Sequence, residues 1–72
     1  MSITKVESEV NGRLEAVYFQ VGDAVAANDV LAVVESMKME ISLVSPVAGT
    51  VSAVLVTPGQ VVEEGQVLFE IG

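Results

Sequence analysis

Apolar and polar residues alternate along this chain in short runs, and Gly, Pro, Asn or Asp breaks the runs at close intervals. Valine dominates the apolar positions. Short β-branched runs bounded by turn formers predict strands rather than helices. The pattern predicts strands at Arg13 to Phe19, Ala24-Val25, Val30 to Ser36, Ile41 to Val44, Thr50 to Val56, Val61-Val62 and Val67 to Ile71. Turns are predicted between them at Val21-Gly22-Asp23, Asn28-Asp29, Pro58-Gly59-Gln60 and Glu64-Gly65-Gln66, where residues suited to tight bends cluster.

The pattern repeats. Sliding the chain by 37 residues, the separation of Gly12 and Gly49, superposes Ser8 on Ser45, Val10 on Val47, Ala16 on Ala53 and Val17 on Val54. It also sets Gly22 on Gly59, Val25 on Val62, Val30 on Val67 and Leu31 on Leu68. Asn28 falls where the second half has Gly65, a sensible exchange because Asn best tolerates positive φ after glycine. Two units of about four strands predict two small sheets packed face to face with quasi-two-fold symmetry. The same offset maps Ile41 to Val44 onto Thr4 to Glu7, so the reversal between Ser36 and Met39 stands at one end of the molecule and the termini at the other.

That reversal carries Glu35-Ser36-Met37-Lys38-Met39-Glu40. With Met37 and Lys38 as the central residues of a two-residue hairpin, Ser36 pairs with Met39, Glu35 with Glu40 and Val34 with Ile41. This register keeps Val34 and Ile41 on one face and the glutamates on the other. Two features are locally unfavourable. A two-residue hairpin asks for positive φ at both central positions, for which Met-Lys is a poor choice at ~1–2 kcal/mol per left-handed residue. Facing carboxylates also repel. Broken local rules at an exposed place are where function is expected.

Composition narrows the chemistry. The 72 residues make one expected domain, 1–72, without cysteine or histidine, so disulfides, thiolate metal sites and the commonest catalytic base are all missing, and no metal site is expected. A net charge of −7 with one arginine, Arg13, argues against nucleic acid as a partner. No apolar run approaches the ~18 residues of a membrane span, and the first residues do not form a signal sequence, so a soluble cytoplasmic protein without a membrane partner is expected. A lysine ε-amine in water has a reference pKa near ~10.4, which leaves roughly one molecule in a few thousand nucleophilic at neutral pH. No cation, apolar pocket or helix end is readable beside Lys38 to activate it. It suits modification by another enzyme better than catalysis, and no catalytic residue is expected in this chain.

The Met-Lys-Met core at the centre of the duplicated unit, with Gly12, Gly49 and the spaced Val-x-x-Gly and Gly-x-x-Val elements, resembles the biotinyl (biotin carboxyl carrier) domain family over nearly the whole chain. The resemblance implies an all-β flattened barrel or sandwich of two four-stranded antiparallel sheets, the barrel-sandwich hybrid. It implies biotin joined by an amide bond to Lys38, with Met37 and Met39 as flanking positions read by biotin protein ligase. The biotin arm would then carry activated CO₂ between biotin carboxylase and carboxyltransferase sites of a biotin-dependent carboxylase, the domain itself being non-catalytic. Ser36 stands where the family commonly has Ala, the first half lacks the proline of Ser45-Pro46-Val47-Ala48-Gly49, and no thumb-like insertion is present. At this length the chain resembles short free-standing biotin/lipoyl attachment proteins as much as a domain of a larger carboxylase. Two alternatives stand beside this one: a lipoyl carrier, usually marked by Asp-Lys-Ala, and an unmodified structural module of the barrel-sandwich type.

Overall fold

The computed structural model describes residues 2–72. Eight strands follow one another without a helix: β1 (Thr4–Glu7), β2 (Gly12–Val17), β3 (Ala24–Val25), β4 (Val30–Ser36), β5 (Met39–Val44), β6 (Gly49–Val54), β7 (Val61–Val62) and β8 (Val67–Ile71). They form two four-stranded antiparallel sheets, β1-β8-β6-β3 and β5-β4-β2-β7. Each sheet takes strands from both halves, so the repeat is woven together rather than set side by side.

Backbone hydrogen bonds show how the weaving is fixed. The Gly22 amide of the first half donates to the Val51 carbonyl of the second at 2.8 Å, and the Gly59 amide donates to the Leu14 carbonyl at the same distance. Asn28 donates to Ser45 at 2.7 Å, and its counterpart Gly65 to Ser8 at 2.9 Å. Both residues of that second pair have positive φ, 75° for Asn28 and 86° for Gly65. The carboxylates of Asp23 and Asp29 accept from the amides of Gln20 and Ala26, while Gln60 and Gln66 do the same for Thr57 and Glu63. Asp and Gln are unlike in charge but alike in presenting an acceptor oxygen three residues on, which closes the turn. Ser8 and Ser45, both buried, each donate a hydroxyl bond of 2.6 Å to the carbonyl two residues ahead, at Val10 and Val47.

Strict alternation fails at four places, and the failures repeat with the chain. Registers shift at Glu15 in β2 and Ser52 in β6, and again at Leu31 in β4 and Leu68 in β8. Each shift is a β-bulge, one extra residue against the partner strand. At the last two it lets adjacent side chains both face inward, so Leu31-Ala32 and Leu68-Phe69 are entirely buried. With Leu14, Val51, Val62 and Ile71 these residues make the core between the sheets. β2 and β6 also end earlier than their apolar patterns predict, at Val17 and Val54 instead of Phe19 and Val56. Beyond Val17 and Val54 only single bonds continue, from the Tyr18 amide to Leu31 and from the Leu55 amide to Leu68, while Phe19 and Val56 turn onto the core edge.

The termini lie together, with Thr4 paired to Ile71 and Gly72 exchanging bonds with Thr50. From there the chain runs along β1 to Ser8 and on to Gly12, which packs beneath Glu35 at the far end of an envelope about 36 Å long and 17 Å across. The β4–β5 reversal closes that far end.

Candidate functional site

The β4–β5 hairpin has the register read from sequence: Val34 opposite Ile41, Glu35 opposite Glu40, Ser36 opposite Met39. Val34 is buried and Ile41 half-buried on the inner face, while both glutamates are exposed on the outer one. Met37 and Lys38 are the two central turn residues, with φ of 53° and 66°. Both are left-handed, as the two-residue primed turn requires.

The choice of residues at this turn differs from that at every other left-handed position described. Elsewhere positive φ is given to Gly22, Gly59, Gly65 and Asn28, which adopt it at little or no cost. Only at the tip does the chain place Met and Lys there, at a cost of ~1–2 kcal/mol each. Packing does not explain the exception, because Met37 is 92% exposed and Met39 61%. Lys38 is exposed as well. Three long side chains, Met37, Lys38 and Met39, are therefore exposed at the end of the molecule.

What holds the tip is below it. Gly12 lets β2 approach β4 so closely that a Cβ at this position would lie 2.7 Å from Val34 Cγ1 and closer still to the Glu35 carbonyl oxygen. A Cβ on its repeat partner Gly49 would meet the Cγ2 methyl of Ile71 instead, at 2.9 Å, with no backbone atom nearer than the Gly72 carbonyl oxygen at 3.6 Å. The glycine that repeats for sequence reasons thus has its tightest contact under the tip.

The facing glutamates are also less isolated than the hairpin alone suggests. Glu35 pairs with Glu40 on one side and with Arg13 on the other, and Arg13 in turn with Val61. All four side chains are exposed, so the chain's one arginine lies one strand from Glu35 on the same outer face. A cation there offsets part of the repulsion across the hairpin. Sequence reasoning did not join Arg13 to the tip. The signal was present, a lone arginine one residue past the bend glycine of a strand neighbouring β4, but strand order cannot be read from alternation. The Glu63 amide donates to Gln66 Oε1 within its own turn, and the Glu64 amide donates to Asn11 Oδ1 at 2.7 Å, joining that turn to the bend before β2.

Among the described residues no three His, Cys, Asp or Glu side chains gather to hold a metal ion, and no helix is long and apolar enough to cross a membrane. The tip is convex and offers no cleft. A primary amine carried outward in this way can be acylated within another protein's site, and the side chain provides the chemistry an amide-linked group needs.

A protein-family model described as Biotin-requiring enzyme, the biotin/lipoyl family, matches residues 2–71. The chain belongs to this family. Within it, the chain is 45% identical over 60 residues to the biotin carboxyl carrier protein of Streptococcus mutans, covering 83% of this chain and 46% of that one. It is 44% identical over 61 residues to the dihydrolipoyllysine-residue acetyltransferase component of the pyruvate dehydrogenase complex of Mycoplasma genitalium, covering 85% of this chain and 16% of the relative. The chain thus spans about half the length of the first relative and a smaller share of the second. Among solved structures, the Kluyveromyces lactis urea carboxylase superposes on the whole chain with a TM-score of 0.93 at 30% identity, over 6% of its own length. The relatives thus include one named for biotin and one named for dihydrolipoyllysine.

Proposed function

We propose that this protein is a biotin carrier, with biotin attached through an amide bond to the Lys38 ε-nitrogen by a biotin protein ligase. The observation that carries the reading is the left-handed Met37-Lys38 turn, where residues ill-suited to the backbone are held exposed at the end farthest from the termini. In the attachment step, the Lys38 amine would attack the carboxyl carbon of biotinyl-adenylate in the ligase's site, the C–N bond forming as the C–O bond to AMP breaks, with the ligase taking up the amine's proton. Lys38 presents its nitrogen, Met37 and Met39 frame it for recognition, and the rigid turn fixes the approach. When bound, biotin supplies a ureido nitrogen that carries activated CO₂. The protein's part is then to present that arm to biotin carboxylase and carboxyltransferase sites of a partner carboxylase, without catalysing either reaction itself.

The test is mass. Co-expressed with a biotin ligase, the protein should gain one biotin increment, and Lys38→Arg should gain none. An unchanged mass in the wild type, or an increment that survives in Lys38→Arg, overturns the assignment.

A lipoyl arm is the second reading, supported by the likeness to a dihydrolipoyllysine-residue acetyltransferase component. The methionine before Lys38 argues against it, since lipoyl domains usually present an aspartate there. Incubation with lipoate and a lipoyl ligase, followed by intact mass, separates the two: lipoylation faster than biotinylation would favour the second.

A further inference from the structure

The two sheets meet along one side of the molecule without pairing. There, among the described residues, β1 is bonded only to β8 and β5 only to β4, and between these two edges runs a groove of about 580 Å³. The backbone groups that face it follow from the ladder. A two-residue hairpin starts on a hydrogen-bonded pair, Ser36 with Met39, after which inward and outward backbone groups alternate. Ser42 and Val44 therefore turn their amides and carbonyls away from β4, a phase confirmed at Ser45, whose amide bonds inward to Asp29 at 2.9 Å. The repeat gives β1 the same phase. Ser8 bonds inward to Gln66 at 2.9 Å, so Lys5 and Glu7 face outward. Beneath them Val6 and Leu43 close the floor as buried apolar side chains.

The groove is thus walled by two strand edges with free bonding capacity, and its charge is lopsided. Glu7, Glu9 and Glu64 line it against one cation, Lys5. We propose that this groove receives an extended, basic segment of a partner polypeptide, added as an antiparallel strand on β1 with cationic side chains beside Glu7 and Glu9. Main-chain bonds provide the affinity in strand addition and alternate side chains the selectivity. β5, whose outward positions within the groove are Ser42 and Val44, adds no charge there and lets the occupant be read from the β1 side. A second copy of this chain is the disfavoured occupant, because each copy carries a net charge of −7. The inference does not depend on which cofactor Lys38 carries.

The probe is a capped peptide, Lys-Val-Lys-Val-Glu, whose lysines meet Glu9 and Glu7 and whose glutamate meets Lys5 when it runs antiparallel to β1. In a titration followed by amide NMR shifts, the amides of Lys5, Glu7, Ser42 and Val44 should move saturably, while those of Met37 and Lys38 stay in place. The charge-reversed peptide, and the same peptide N-methylated at its bonding amides, should bind at least about tenfold more weakly, the loss expected when a few exposed ion pairs or main-chain bonds are removed. The double variant Glu7→Lys/Glu64→Lys should weaken the original peptide similarly, with its own spectrum confirming the fold. No shifts at millimolar peptide, shifts spread over the acidic surface, or indifference to N-methylation would each overturn the proposal. So would groove shifts that follow protein concentration without peptide, which would identify a second copy as the occupant.

Discussion

Replacing Met37 by asparagine separates what the tip needs in order to fold from what it needs in order to function. Met37 has φ of 53° and is 92% exposed, so its replacement loses almost no buried surface. A left-handed residue with a Cβ costs ~1–2 kcal/mol, and asparagine recovers much of this through local hydrogen bonding. The chain already uses that solution at Asn28, where φ is 75°. The expected gain is about 1 kcal/mol of stability, which for a domain of this size raises Tm by roughly 4–8 °C. Thermal and urea unfolding of the unmodified protein measure it, with an unchanged m-value showing that the folded and unfolded ensembles are otherwise alike. The rate of ligase-catalysed biotinylation should fall in the same variant by about tenfold or more, since the exposed methionine beside Lys38 is lost. A protein that is more stable and less readily labelled places the strain at the tip in the service of recognition. An unchanged or lower Tm would refute the argument that Met37 is strained, and a higher Tm with undiminished labelling would refute its functional half.

Three further outcomes follow from the geometry. Gly12→Ala should destabilise by about 1–3 kcal/mol, the range for overpacking a close contact, because the Glu35 backbone cannot yield. Gly49→Ala should cost less, since its added Cβ would meet one Ile71 methyl and no backbone atom closer than 3.6 Å, and comparing urea midpoints of the two variants decides whether the tip side of the repeat is the tighter one. Ser8→Ala and Ser45→Ala should each cost about 1 kcal/mol, the usual value of a hydrogen bond with a buried partner, and near-equal losses would show that the symmetry is energetic as well as geometric.

Much of this architecture was legible because it is written twice. The offset of 37 residues located the turns, paired Asn28 with Gly65 and set the tip opposite the termini, and the hairpin register followed from the alternation around Met37-Lys38. What alternation could not show is where it breaks. Leu31-Ala32 and Leu68-Phe69 read as ordinary strand interior, and only the bulges reveal that both residues of each pair face the core. The neighbour relation of β2 and β4 was equally hidden, so the approach of Gly12 to Glu35 and the row from Glu40 through Glu35 to Arg13 came from the three-dimensional arrangement alone. Lys38 itself needed no structure to be noticed. The positive φ that a two-residue hairpin asks of it is found as well, at 66°.

The crossed hydrogen bonds between the halves bear on how such a chain could arise. Gly22 closes its turn on Val51 and Gly59 closes the matching turn on Leu14, so neither half can complete its own bonding. A single unit of this length would have to find another copy of itself, and the two would exchange turns about a two-fold axis as an isologous dimer does. The present chain has the form of such a dimer with its protomers joined end to end. Fusion makes the two formerly equivalent ends independent: one can serve as the entry and exit of the polypeptide, while the other is free to acquire residues that a symmetric dimer would have been forced to carry twice.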